Sequence, residues 1–248
     1  MISVSIIVKD EEDNIERCLK SIYNWADEII VVDSGSTDNT LKICKKYNCK
    51  IHKTHWLGFG KTKQLGVNLT ENDWILSIDA DEEISNQLKK EIKDIIVSNK
   101  FNGAYIKRIS YYLGRQIKYS GWQNDYPLRL FNKRYGNFDD ATVHESVVLN
   151  KSKTLKISEP IYHYPYKTLH EHISKINLYT TLSAETLFIR SKKTPLFFAV
   201  LSGITKFIKM YFFKKGFLDG KEGIVLAILS SYSSLLKYMK LWSMWRKK

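Results

Sequence analysis

An α/β fold built on a parallel sheet is what residues 1–100 predict, on three observations. Apolar β-type runs alternate with segments of helical periodicity, each run ends in acidic or hydroxyl residues, and one of them passes directly into Asp79-Ala80-Asp81. Alternating strands and helices imply parallel strands joined by right-handed crossovers. Ligands of such open sheets sit beyond the carboxyl ends of the strands, so the polar ends of successive strands would meet at one edge.

Each element follows in turn. Val4 to Val8 reads as a strand, Lys9 to Glu12 as an acidic turn, and Ile15 to Asn24 as a helix with Ile15, Leu19 and Ile22 on one face. Glu28 to Val32 is a second strand ending in Asp33-Ser34-Gly35-Ser36-Thr37-Asp38, with a helix from Asn39 to Tyr47. Lys50 to His52 and the glycine-bearing Trp56 to Gly60 lead into a helix from Lys61 to Leu69, with Gly58 to Lys63 as a glycine-spaced loop at its start. Glycines let that loop approach a nucleotide closely, with Lys61 or Lys63 near its phosphates; an ordinary turn before a helix is the alternative.

Trp74 to Ile78 carries no charge and suits the centre of a sheet, which leaves Asp79 and Asp81 at its end. Two carboxylates one residue apart offer hard oxygen ligands for Mg²⁺ or Mn²⁺, ions that keep water in their shell and bind a diphosphate as well. The competing reading is a helix start, with Asp81 to Glu83 at the positive end of a helix Ile84 to Ser98.

Taken together, Ser3 to Glu12, Val31 to Asp38 and Ser77 to Asp81 resemble the family 2 glycosyltransferases of GT-A fold, a nucleotide-diphospho-sugar transferase domain whose Rossmann-like mixed sheet is flanked by helices. Pro127 to Arg134 and Val143-His144-Glu145 are similar to the branch that adds glucose or related sugars to the inner core of bacterial lipopolysaccharide. The likeness covers nearly the whole chain. It departs at the opening, where Val8-Lys9-Asp10-Glu11 replaces the commoner Thr or Tyr followed by Asn-Glu.

The resemblance implies an inverting enzyme that uses a UDP-sugar, UDP-glucose foremost, with Mn²⁺ or Mg²⁺. Asp81 is then the direct metal ligand, Asp79 lies near the ribose, and Asp33 accepts a hydrogen bond from uracil. Val8, Asp10, Glu11 and Gly35 join them on the nucleotide-sugar side. Sugar transfer needs a base opposite the leaving group, and the resemblance puts Glu145 first, with Asp140 and Asp125 in reserve. His144 would orient that carboxylate, bind the acceptor, or serve as a hydrogen-bonded structural imidazole. His163 is a candidate phosphate or metal contact, or simply a strand end.

His170 and His172, at a polar helix start, are expected to face solvent. Among Tyr111, Tyr112, Tyr119, Trp122 and Tyr126, half are expected in the core and Trp122 in the acceptor site, since flat apolar rings suit the C–H faces of sugars. Arg129 would pair with a phosphate or acidic sugar, or form a structural salt bridge.

Charge divides the chain unevenly. From Arg190 to Lys248 there are thirteen Lys or Arg against Asp219 and Glu222, a net of +11 out of +13 for all 248 residues. The expected division is a catalytic domain at 1–167, with a nucleotide-sugar half at 1–100 and an acceptor half at 101–167, followed by C-terminal amphipathic helices at 168–248. Lysines interrupt the apolar stretch Leu196 to Phe213, which makes it a poor spanning helix. It suits an anionic membrane surface, with a dimer contact as the alternative.

No secretion signal is visible, and Cys18, Cys44 and Cys49 form no CxxC, so a cytoplasmic enzyme peripheral to the inner membrane face is expected, acting on a lipid-linked core oligosaccharide. Transfer to another surface glycoconjugate is the alternative. A nucleic-acid-binding protein is disfavoured because the positive charge alternates with large apolar residues, and a dehydrogenase because no G-x-G-x-x-G follows the first strand. A phosphatase or nucleotidyltransferase using the same acidic strand end remains as a rival.

Overall fold

The structure is a computed structural model and describes residues 1–139, 145–149 and 153–246. It divides into two compact units, residues 1–108 with 125–163 and residues 109–124 with 164–248. Where the sequence suggested a boundary at residue 167, the segment 109–124 thus belongs with the C-terminal helices.

In the first unit β1 (Ile2–Val8), β2 (Glu28–Asp33), β3 (Lys50–Lys53) and β4 (Trp74–Asp79) alternate with α1 (Ile15–Ile22), α2 (Thr40–Lys46) and α3 (Phe59–Asn68). β1 pairs in parallel with β2 and β4, and β2 with β3. After β5 (Glu82–Ile84) and α4 (Asn86–Ser98) come β6 (Gly103–Tyr112), β7 (Arg115–Gln116), β8 (Leu128–Asn132), β9 (Gly136–Phe138), β10 (Val147–Leu149) and β11 (Thr154–Tyr166). The main sheet runs β3-β2-β1-β4-β8-β6-β11-β5, with β7 on β6, while β9 and β10 pair separately. β8 is antiparallel to β4 and to β6, which makes the sheet mixed, as the GT-A resemblance requires.

Burial on both faces explains why β1, β2 and β4 are so apolar. On one face of β1, Val4 and Ile6 share a core with Ile15, Leu19 and Ile22 of α1. On the other, Ser5 faces α3 at Gly66, where a Cβ would overlap the Ser5 hydroxyl, so only glycine lets the helix lie this close. The register sets Val8 opposite Asp33 and Ile7 opposite Asp79, so the polar ends of β1, β2 and β4 do share one edge.

Two expectations shift. The helix after Gly58 starts at Phe59, two residues before the expected Lys61, so Gly60 is helical along with Lys61 and Lys63. Gly58 turns the chain in with φ 91°, and the Thr62 hydroxyl donates to its carbonyl at 2.7 Å. The helix after the acidic pair starts at Asn86, capped by Ser85, whose hydroxyl accepts from Leu88 N at 3.0 Å. β5 intervenes, and the helix-start reading of Asp81 to Glu83 therefore fails.

The second unit packs α5 (Leu169–Ile189), α6 (Leu196–Ile208), a π turn (Lys209–Phe213), a 3-10 turn (Gly216–Asp219) and α7 (Gly220–Arg246). Small residues bring α6 onto α7: the Ser231 hydroxyl donates to Gly203 O at 2.8 Å and the Ser234 hydroxyl to Ser202 at 3.2 Å. Lys240 joins α7 to α5 by donating to Asn177 O at 2.7 Å and the Thr181 hydroxyl at 2.6 Å. Asp219 fixes the segment 118–120, accepting from Lys118 N at 2.9 Å, Tyr119 N at 3.1 Å and the Ser120 hydroxyl at 2.7 Å.

His172 corrects an expectation of solvent exposure. It is 4% exposed, stacked on Tyr166 at 4.0 Å and in a 2.8 Å hydrogen bond with the Tyr112 hydroxyl. Burial, together with Lys175 and against the pull of Glu171, pushes its pKa down to about 4, so the ring is neutral near pH 7. His170 faces solvent.

Candidate active site

The turns that follow β1 and β2 are laced to each other. Asp10, in the left-handed region at φ 54°, accepts from Thr37 N at 2.7 Å, and its own N–H donates to the Ser36 hydroxyl at 3.0 Å. Glu11 N donates to Thr40 Oγ1 at 2.8 Å, and Glu12 accepts from Asn39 N at 2.9 Å. Asp33 is buried at the end of β2, where its Oδ1 accepts from Ser36 N at 3.0 Å; among the described residues its Oδ2 takes no bond within the chain. Gly35 has φ 94° with open space where a Cβ would stand. Together with Val8 beneath them, these residues make a rigid polar rim at the carboxyl end of the sheet.

Next to this rim lies a run of buried ion pairs. Lys63, on α3, reaches Asp79 at 2.9 Å and Glu145 at 2.7 Å. Arg129, from β8, pairs with Asp79 and with Glu82, the latter at 2.6 Å. Arg108 continues the run to Glu82 at 3.3 Å and to Asp125 at 2.6 Å. Glu82 Oε2 also accepts from Asp79 N at 3.0 Å and closes the turn between β4 and β5.

The run alternates four carboxylates with three cations, and every buried charge has an opposite neighbour, as a low-dielectric interior demands. Burial would raise the Asp79 pKa, but Arg129 first and Lys63 next hold its carboxyl well below the usual carboxylate range. Glu82 also holds the Arg108 guanidinium charged against its own burial.

Asp81 follows Asp79 on the opposite side of the turn. β5 pairs antiparallel with β11, which sets His163 opposite Glu82, and Asp81 Oδ2 stands 3.6 Å from His163 Nε2. A carboxylate and an imidazole so placed make an oxygen and nitrogen donor pair. Among the described residues no group of three or more His, Cys, Asp or Glu side chains is gathered for a metal. An ion bound here would draw its other ligands from substrate oxygens and water, as Mg²⁺ and Mn²⁺ commonly do.

The structure thus brings Glu145 and Asp79 together through Lys63, and Asp81 together with His163. Lys61 is exposed, so of the two lysines only Lys63 reaches the acidic strand end. Asp125, a reserve for the base, is engaged by Arg108. Asp140 and His144 lie outside the described residues. Arg129 forms the structural salt bridge that was one of its two readings.

Tyr112 is fully buried and Tyr111 stacks on Tyr164 at 5.0 Å, while Trp122 meets Tyr112 edge-on at 6.2 Å and lines a cleft of about 220 Å³ with Tyr166, His172 and Tyr179. Sequence reasoning missed Glu82 and Arg108. Glu82 abuts the acidic pair, but only the β5 turn reveals that it faces inward.

Comparisons with known proteins bear on the family and the fold. The family model described as glycosyl transferase family 2 matches residues 3–153. An uncharacterized glycosyltransferase of Rickettsia typhi is 34% identical over 97% of this chain and 86% of its own. The lipopolysaccharide core biosynthesis glycosyltransferase LpsC of Rhizobium meliloti is 27% identical over 93% of this chain and 90% of its own. The crystal structure of S. aureus TarS 1-349 in complex with UDP-GlcNAc has a TM-score of 0.51 at 15% identity, covering 99% of this chain and 91% of that one, which shows a shared fold.

Proposed function

The chain belongs to glycosyl transferase family 2, and from that premise we propose that it is an inverting, metal-dependent hexosyltransferase that moves glucose from UDP-glucose to a lipopolysaccharide or lipooligosaccharide core acceptor. The observation that carries this reading is Lys63, which ties Glu145 to the acidic end of β4. It brings a candidate base within one side chain of the strand end where a nucleotide sugar would dock. Similarity to LpsC, a lipopolysaccharide core enzyme by description, supports the acceptor class.

Asp33 supports a uridine donor, since its second oxygen is available for the N–H of uracil. Asp79, held ionised by Arg129 and Lys63, would accept from a ribose hydroxyl. Asp81 and His163 are the residues that would hold the ion: the carboxylate suits Mg²⁺ or Mn²⁺, and the imidazole favours Mn²⁺ of the two. The ion, when bound, would supply positive charge against the diphosphate as it leaves.

Glu145 would take the proton from the acceptor hydroxyl while the oxygen of that hydroxyl bonds to the anomeric carbon from the face opposite UDP. The bond to the diphosphate breaks with its electron pair leaving on UDP, and the sugar inverts. Lys63 positions Glu145 and balances its charge.

Incubating the enzyme with a panel of UDP-sugars and GDP-sugars, Mn²⁺ or Mg²⁺ and extracted core lipids, with product mass as readout, tests the reading. A mass gain of one hexose from UDP-glucose is expected. Transfer from GDP-sugars only, or release of free sugar without any transfer, would contradict it.

A further inference from the structure

We infer that the outer face of α6 and the π turn after it is a docking surface for an anionic lipid bilayer, a property beyond the transfer reaction itself. α6 gathers its polar residues Ser202, Thr205 and Lys206 along one stripe and is apolar elsewhere. Ala199 and Gly203 are buried against α7, yet Phe197 is 74% exposed and Phe213 77%, and Val200, Leu201, Ile204 and Ile208 are exposed with them. Phe197, Val200, Leu201, Ile204 and Ile208 fall at helical spacing on one face, and exposed apolar surface of this kind marks an interaction site.

The charge beside this face has one sign. Lys206, Lys209, Lys214 and Lys215 stand on or just past the apolar stretch. The only acids between Arg190 and Lys248 are Asp219 and Glu222, and both are consumed within the unit. Asp219 is buried on the 118–120 backbone, and Glu222 pairs with Arg115 at 3.3 Å. The cations around the apolar face therefore have no acidic counterpart on the same helices.

This combination selects among partners. A second copy would press lysines against lysines, and a nucleic acid would satisfy the lysines while leaving the aliphatic side chains in water. An anionic bilayer satisfies both, taking rings and aliphatic chains into the headgroup boundary while lysines meet lipid phosphates. Leu196–Phe213 and Gly216–Arg246 are each long and apolar enough to cross a membrane, but lying in the interface keeps Lys206 and Lys209, inside the first stretch, among the headgroups, where crossing would bury them in hydrocarbon.

The test is flotation of the full chain with vesicles of phosphatidylcholine alone and of phosphatidylcholine with phosphatidylglycerol. The expected result is recovery with anionic vesicles, release by alkaline carbonate, and loss in the double variant Phe197→Ser with Phe213→Ser. Lys209→Gln should weaken anionic binding by about fivefold, the effect of one lysine near a charged surface. Circular dichroism and hydrolysis of UDP-sugar should stay unchanged in both variants, which keeps folding and catalysis separate from docking. Equal recovery with neutral vesicles, retention through carbonate, a concentration-dependent dimer with no vesicle binding, or RNA binding in place of vesicle binding would each overturn the inference.

Discussion

The acidic strand end of the first unit and the α6 face of the second are both rich in lysine and arginine, yet they treat charge in opposite ways. Around Asp79 each buried or half-buried cation touches two carboxylates: Lys63 holds Asp79 and Glu145, Arg129 holds Asp79 and Glu82, and Arg108 holds Glu82 and Asp125. Along α6 the lysines stand beside exposed phenylalanine and isoleucine and form no ion pair among the described residues. Charge taken out of water has to be compensated inside the chain, whereas charge left unmatched beside unmatched apolar surface points to a partner outside it. The first arrangement fixes geometry for chemistry. The second holds attraction in reserve.

Breaking the first arrangement should cost most. Arg129→Ala leaves Asp79 and Glu82 facing each other across a buried turn, and the expected loss is about 3–5 kcal/mol in a denaturant melt. Adding Glu82→Gln to Arg129→Met should recover much of that loss, because the carboxylate left alone is then neutral; no recovery would show that the ion pairs are incidental. Asp81→Ala, beside the run but outside it, should leave the melt near wild type and slow transfer by about 10²–10³-fold at saturating Mn²⁺. Near-normal turnover would remove Asp81 from its metal role.

A smaller, pH-dependent effect belongs to His172 of the second unit. Its folded pKa is depressed to about 4 from 6.5, so the unfolded chain binds the proton more readily. The stability this represents is complete above pH 6.5 and is lost as pH falls toward 4, by about 3 kcal/mol in all. His172→Phe should flatten the stability curve across that window, and a slope equal to wild type would place the titration elsewhere. Least of all should Lys209→Gln change the melt, by under about 0.5 kcal/mol, since its side chain forms no ion pair among the described residues. A larger loss would mean that the α6 lysines are structural after all.

What was legible in the sequence follows from range of interaction. β1, β2 and β4 are continuous apolar runs buried on both faces, so their extents, their parallel pairing and the delivery of Asp33 and Asp79 to one edge could all be read from the chain. The C-terminal helices were legible for the same reason of composition. The start of α3 was not, because Phe59 and Gly60 carry no helical signature and the helix depends on Gly58 adopting φ 91°.

His172 was misread because its neighbours in sequence are polar, while the rings that bury it, Tyr112 and Tyr166, come from β6 and β11. Glu82 and Arg108 were missed on the same ground, since their partners lie on separate strands. The segment 109–124 joins the helical unit through Asp219, a hundred residues away at Tyr119. Local pattern gives elements and their polar ends, but it says little about which distant side chains close around them.

The most direct test of the account is transfer by Glu145→Gln at saturating UDP-glucose, measured beside the affinity for UDP. Replacing the carboxylate with an amide keeps the shape and a hydrogen bond to Lys63 through its oxygen but removes the capacity to take a proton. The account predicts UDP affinity unchanged and transfer slowed by about 10²–10⁴-fold. Turnover close to wild type, with UDP binding intact, would contradict it and separate Glu145 from the chemistry.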